Sequence, residues 1–197
     1  MEKELITVFH FTNRPNVELI VKQKKINAGA HVKNKTLAQG VVSLTTDSDP
    51  RGHGLTDGRE VTKEQARLLK FGTEKSGKLF CVDNTEFCLK ITLPRSALQS
   101  AQEAHDQQEL QALEIAGYFP CSINPSNPEL AQVATAIKLG SLPGKSASWW
   151  YHLGDLQLED YEILRKNESG TYLPLRIGPR GEVDLTSIPA QQIFACS

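Results

Sequence analysis

Hydrophobic and polar positions divide the chain into short strands and amphipathic helices. Leu5-Ile-Thr-Val-Phe-His-Phe11 is rich in β-branched and aromatic residues and predicts a buried first strand. Residues 12–16 form a turn, and Asn13 or Asn16 is placed to cap a helix running to about Lys25. Val17, Leu19 and Ile20 give that helix one apolar face, and Lys24 places positive charge at its C-terminal dipole. Residues 40–45 predict a second strand, followed over 47–58 by a polar loop carrying Gly52, Gly54, Gly58 and Pro50.

Further along, 59–72 predicts a short helix, and 77–82 with 86–93 a hairpin or strand pair closed by Pro94. Residues 96–116 have helical composition, with Leu98, Leu110, Leu113 and Ile115 on an interrupted apolar stripe. Another helix is predicted over 129–139, between Pro128 and Gly140. Segments 149–153, 161–164, 171–177 and 192–196 supply late strands. The expectation is one α+β domain over residues 1–197, strand-heavy in its C-terminal half and without internal repeats.

Composition narrows the function classes. A chain of 197 residues with 39% hydrophobic side chains builds one sizeable core and is not a disordered tail. With 22 basic and 23 acidic side chains the formal net charge is −1, which excludes histone-like polybasic binding and leaves room for a local basic groove. No apolar run approaches the roughly 18 residues of a membrane helix. The opening Met1-Glu-Lys-Glu4 and the short apolar stretch after it do not make a signal peptide. Cys81, Cys88, Cys121 and Cys196 contain no Cys-x-x-Cys, so they read as reduced thiols of a cytoplasmic protein rather than a zinc knuckle or redox pair.

Candidate chemistry concentrates in two early segments. In Val8-Phe-His10-Phe11-Thr12-Asn13 a histidine near a strand end is followed by small hydrogen-bonding residues, a good position for presenting an imidazole to a ligand hydroxyl. A histidine between two phenylalanines also fits a structural role. In Ser43-Leu44-Thr45-Thr-Asp47, continuing through Arg51-Gly-His53-Gly, a glycine-flanked loop allows close backbone approach to a ligand, and Arg51 can clamp a phosphate or carboxylate. A solvated surface loop is the other reading. His10, His31, His53, His105 and His152 show no His-x-x-x-His spacing and no flanking cysteine pair, so no metal site is expected. Gly-x-Ser-x-Gly, Walker and Rossmann patterns are all missing.

The strand ending His10-Phe-Thr-Asn13, the helix after it, Lys25-Ile-Asn-Ala-Gly29 and the strand Val42-Ser-Leu-Thr-Thr-Asp47 together resemble the start of the NAD-dependent ADP-ribosyltransferase fold. They are most similar to DarT-like toxins and related phage-defence enzymes. The resemblance covers about the first 55 residues well, the Trp149-Trp-Tyr151 strand loosely and the middle hardly at all. It implies a split β-sheet with flanking helices and NAD as substrate without a metal. It assigns His10, with Phe11, Thr12 and Asn13 beside it, to the adenosine ribose, and Ser43, Leu44 and Thr45 to the nicotinamide end. Arg51 then serves the phosphates or the acceptor, and residues 188–194 resemble the family's final turn into a strand. His53, Trp149 and Tyr151 are expected to contact the acceptor, although bulky alternating residues on a strand also serve as core.

One departure stands out. The family's late-strand glutamate, which stabilises the oxocarbenium-like ribose, has no counterpart in Ser146-Ala-Ser-Trp-Trp-Tyr-His-Leu153, where Ala147 holds the expected position. An inactivated variant, a naturally non-catalytic relative, or a carboxylate from Asp155, Glu159 or Asp160 would each account for this. The implied function is transfer of ADP-ribose from NAD to a macromolecule, with RNA or single-stranded DNA ahead of protein as the acceptor. The implied setting is toxin–antitoxin or phage defence, with an antitoxin protein as partner and no membrane. A non-catalytic NAD- or partner-binding relative and an RNA 2′-phosphotransferase are the alternatives.

Overall fold

The first apolar segment forms β1 (Leu5–Thr12), and its alternation sends Val8 and His10 to one face and Phe9 and Phe11 to the other. A computed structural model describes residues 4–33, 36–69, 73–120 and 128–175. After β1 come α1 (Arg14–Gln23), β2 (Lys25–Ile26), β3 (Gly29–Lys33) and β4 (Thr36–Thr45). The middle of the chain holds β5 (Glu60–Val61), α2 (Lys63–Leu69), β6 (Thr73–Lys75), β7 (Lys78–Phe80) and β8 (Phe87–Pro94). Then follow β9 (Gln99–Ser100), α3 (Ala101–Ala104), α4 (Gln107–Gly117) and α5 (Pro128–Lys138). The last described strands are β10 (Trp149–Leu153), β11 (Leu156–Gln157), β12 (Tyr161–Lys166) and β13 (Tyr172–Pro174).

The main sheet is antiparallel in the order β13-β12-β8-β1-β4-β10-β9, with β3 also paired to β4. This mixed, antiparallel α and β content agrees with the α+β expectation. β1 and β8 pair continuously from Leu5 opposite Pro94 to Thr12 opposite Phe87. β1 and β4, by contrast, share a single register pair, Phe9 opposite Thr45. The C-terminal half of β4 pairs with β10, from Trp149 opposite Thr45 to Leu153 opposite Val41.

α1 covers one face. Asn13 caps it by accepting from Asn16 N–H at 3.0 Å, Pro15 lies in its first turn, and Lys24 ends it in the left-handed region. Val17 and Ile20 pack with Val8, Leu89 and Ile91, while Leu19 is 42% exposed, so the apolar face is narrower than the sequence suggested. Cys81 and Cys88 are buried free thiols, and burial pushes the Cys88 thiol up to about 12.

Several sequence expectations need correction. Segments 77–82 and 86–93 are not a hairpin: β7 pairs with β5 and β6 in a separate small sheet, while β8 lies between β1 and β12. The helix expected over 96–116 is broken into a 3₁₀ turn, β9, α3 and α4. Two successive capping boxes cause the break, Ser100 with Glu103 and Asp106 with Glu109, with His105 extended between them. Residues 146–148 are a 3₁₀ turn, so Ala147 precedes β10 rather than lying on a strand. The strand expected over 192–196, the turn over 188–194, Cys121 and Cys196 lie outside the described residues.

Leu89 is fully buried at the centre of the core, between His10 of β1 and Ile163 of β12. Leu89→Ala is expected to cost about 2–5 kcal/mol in urea denaturation, as deletions at closed core positions do.

Candidate functional site

Because β1 and β4 separate after one pair, the sheet opens there. His10 crosses the gap, its Nδ1–H donating to the Ser43 carbonyl at 3.1 Å. A carbonyl only accepts, so the proton lies on Nδ1 and Nε2 is left as an acceptor in the neutral ring. Burial lowers the His10 pKa, and the bond to Ser43 offsets part of that shift.

A cleft of about 510 Å³ lies against this opening. Phe9, His10 and Phe11 of β1, Ser43, Leu44 and Thr45 of β4, and Trp149 and Tyr151 of β10 line one side. His53, Gly54 and Leu55, with Leu113, Ala116 and Gly117 of α4 and Phe119 and Pro120 after it, line the other. Of the predicted site residues the cleft therefore gathers His10, Phe11, Ser43, Leu44, Thr45, His53, Trp149 and Tyr151. None of its described lining residues is charged.

The remaining candidates stand apart. Thr12 is buried beyond the lining, and Asn13 is committed to the α1 cap and to donating its amide to Asn84 Oδ1 at 2.8 Å. Arg51 forms a bidentate pair with Asp49 and its side chain is 84% exposed. Ala147 is exposed on its 3₁₀ turn and does not line the cleft, nor do Asp155, Glu159 and Asp160. Asp155 is engaged with Lys25 and the Ala28 amide.

The polar groups behind the cleft form one web. Lys145, its side chain 7% exposed, is hydrogen-bonded to Asp47 Oδ2. Burial alone would raise the Asp47 carboxyl, but hydrogen bonds from Lys145 and the Asp49 N–H, with the Lys145 charge, hold it below its ordinary value. Thr45 Oγ1 accepts from Asp47 N–H and donates to Ser148 Oγ, both at 3.0 Å, tying β4 to the 3₁₀ turn. Trp149 Nε1 donates to His53 Nδ1 at 2.7 Å. Two residues along β10, the Tyr151 hydroxyl meets His105 Nε2 at 3.2 Å, and His105 Nδ1 meets Glu109 Oε2 at 3.3 Å. Both cleft-lining aromatic residues of β10 are thus held by a histidine backed by a carboxylate.

The glycine-flanked loop makes its close approach to the protein itself. Gly54 N–H donates to the Gly117 carbonyl at 2.9 Å, and a Cβ on Gly117 would stand 2.3 Å from Gly52 O. Sequence reasoning missed this helix as a cleft wall. A glycine closing an amphipathic segment just before Tyr118-Phe119-Pro120 was the available signal.

No family model, curated protein or solved structure matches this chain. Among the described residues no three His, Cys, Asp or Glu side chains cluster as metal ligands, and no helix is long and apolar enough to cross a membrane.

Gly117→Ala is expected to push the 52–54 loop off α4, costing about 1–3 kcal/mol in thermal or urea unfolding. A second expectation follows from the histidines. Burial lowers the pKa of His10 and, together with the Lys145 charge, that of His53 below the ordinary 6.5. Their contribution to stability is therefore complete above about pH 6.5 and is lost as pH falls toward the folded-state values, because the unfolded chain protonates first. Unfolding free energies from urea denaturation between pH 7.5 and 5.5 should fall less steeply for His53→Asn than for the wild type, by at most about 1.4 kcal/mol per pH unit.

Proposed function

We propose that this chain is an ADP-ribosyltransferase-type domain that binds NAD in the split between β1 and β4. In this reading it transfers ADP-ribose to a macromolecular acceptor, RNA or single-stranded DNA ahead of protein, as a cytoplasmic toxin held by an antitoxin protein or acting in phage defence. The observation that carries the reading is the single β1–β4 pair, which opens a cleft lined by His10, Ser43 and Thr45. Its volume of about 510 Å³ is in the range that takes cofactor-sized ligands, roughly 300–1,000 Å³.

His10 Nε2, unprotonated because Nδ1 serves Ser43, suits a ribose hydroxyl donor. Phe9, Phe11, Trp149 and Tyr151 supply flat apolar surface for a nicotinamide or nucleobase ring. Breaking the bond between ribose and nicotinamide builds positive charge on the sugar, which dipoles in a dry, preorganised cleft stabilise. Arg51, exposed at the loop tip, is accessible to phosphates outside the cleft once it exchanges Asp49 for them.

A second reading, a non-catalytic NAD- or partner-binding relative, is favoured by one observation: no Asp or Glu is among the described residues lining the cleft. Labelled NAD incubated with single-stranded DNA, RNA and cell protein separates the two. Label in nucleic acid is the expected result, and His10→Ala should weaken NAD binding by up to about tenfold, the worth of one hydrogen bond. Ala147→Glu should leave turnover unchanged, because that position lies outside the cleft lining. NAD binding without nicotinamide release favours the non-catalytic reading. No binding at millimolar NAD sinks the transfer reading and leaves partner binding alone.

A further inference from the structure

At the start of α1 positive charge outnumbers the carboxylates that face it. Arg165 Nη2, from β12, stands 2.9 Å from Glu86 Oε1, and Arg14 Nη2, from the first residue of α1, reaches the same oxygen at 3.4 Å. Among the described residues no other carboxylate is in ion-pair range of either guanidinium. Every other ion-paired lysine or arginine described has a carboxylate to match it, Lys145 and Arg51 with Asp47 and Asp49 included. Arg165 is 15% exposed and lies over the Phe87 ring, 5.4 Å from its centroid. Burial lowers the Arg165 pKa, and the Arg14 charge pushes the same way against the pull of Glu86. The helix adds to the surplus, because its first turn holds no acidic residue to meet the dipole. Asn13 already takes the Asn16 and Val17 N–H groups, so the helix end contributes field there rather than donors.

We propose that Arg14 and Arg165 hold a backbone phosphate of the nucleic-acid acceptor beside the cleft. The inference rests on the reading of the acceptor as RNA or single-stranded DNA, and it supplies the local cationic site that a chain of net charge −1 needs to grip one. A phosphodiester carries one negative charge, which matches the surplus, and two free oxygens that accept from two guanidinium groups. Arg14, the more exposed and more distant partner, exchanges Glu86 for the phosphate. Arg165 keeps its shorter contact and adds its charge from below the surface. The pair is tied to the cleft. Asn13, next to Arg14, donates to Asn84 Oδ1 at 2.8 Å, Asn84 N–H donates to the Thr56 carbonyl at 2.8 Å, and Leu55 beside Thr56 lines the cleft. Two hydrogen bonds thus separate the pair from the cleft rim, a span that the nucleotides next to a base in the cleft can cover.

The test measures binding of a fluorescein-labelled, mixed-sequence single-stranded oligonucleotide to the full chain by anisotropy, without NAD and across a salt series. Arg14→Gln leaves Arg165 and Glu86 as a matched pair, so it should fold like the wild type. It should bind about tenfold more weakly at low salt and flatten the slope of log affinity against log salt by about 0.7. An oligonucleotide without bases should show the same loss, because the contact is to the backbone. Glu86→Gln frees both guanidinium groups and should tighten binding several-fold. Glu60→Gln removes the same charge from an exposed matched pair with Lys78 and should tighten it less. Affinity and salt slope unchanged in Arg14→Gln, or equal gains from Glu86→Gln and Glu60→Gln, overturn the site. Weaker NAD binding by Arg14→Gln with oligonucleotide binding intact also overturns it, since the cations then serve the diphosphate of the dinucleotide. No oligonucleotide binding by the wild type overturns the site and the nucleic-acid acceptor together. A chain that binds the oligonucleotide through Arg14 yet releases no nicotinamide overturns the transfer reading alone.

Discussion

β1 and β4 lie side by side in the main sheet and touch as paired strands only at Phe9 and Thr45. A strand that leaves its ladder exposes backbone groups that must find other partners. At Ser43 the partner is a side chain: His10 Nδ1–H supplies the donor that a β1 amide would give in a continuous sheet. The same contact fixes the tautomer of His10 and keeps the strands apart. β1 diverges without fraying because its other edge is paired to β8 along its whole length. β4 is held over residues 41–45 by β10. The opening is therefore a rigid feature between two well-tied half-sheets.

Rigidity on the far side of the cleft has a different origin. The 52–54 loop is held against the end of α4 by a backbone hydrogen bond and by the missing Cβ of Gly117. Gly52, with φ of +80°, has a left-handed backbone, and a Cβ there would also meet the Tyr118 ring at 2.8 Å. Tyr118 in turn donates to the Pro143 carbonyl at 2.7 Å, and Gly144 is pressed against Glu114, whose carboxylate accepts from Ser146 N–H. The loop, α4 and the approach to β10 thus form one wall, which brings His53 and Trp149 into contact.

The sequence made the strands legible where alternation was strong. β1, the end of β4 and β10 all lie where the apolar pattern placed them, and with them His10, Ser43, Thr45, Trp149 and Tyr151. It misled over 96–116 because Ala, Leu, Gln and Glu satisfy helix propensity continuously, while Ser100-x-x-Glu103 and Asp106-x-x-Glu109 restart the helix locally. The 77–82 and 86–93 segments looked like a hairpin because they are neighbours in sequence. β8 instead pairs with β1 and β12, which are distant in sequence and leave no local signal, while β7 makes its hairpin with β6 just before it. Arg51 attracted attention as the cation on a glycine loop, yet Asp49, two residues before it, is its partner. The cation that organises the cleft wall is Lys145, remote in sequence and recognisable only once buried against Asp47.

That pair places charge close behind a cleft whose described walls are uncharged. Lys145 and the Asp49 amide hold the partly exposed Asp47 carboxyl below its ordinary value, and His53 stands between it and Trp149 of the cleft wall. Placed one imidazole away, the Asp47 carboxylate leaves the described cleft wall uncharged and becomes an ion-pair partner of His53 only when that imidazole gains a proton. Trp149 completes the arrangement, since its N–H satisfies the lone pair of His53 in the empty protein. Losing that bond would leave a buried acceptor unpaired, so the indole and the imidazole hold each other in place at the cleft wall.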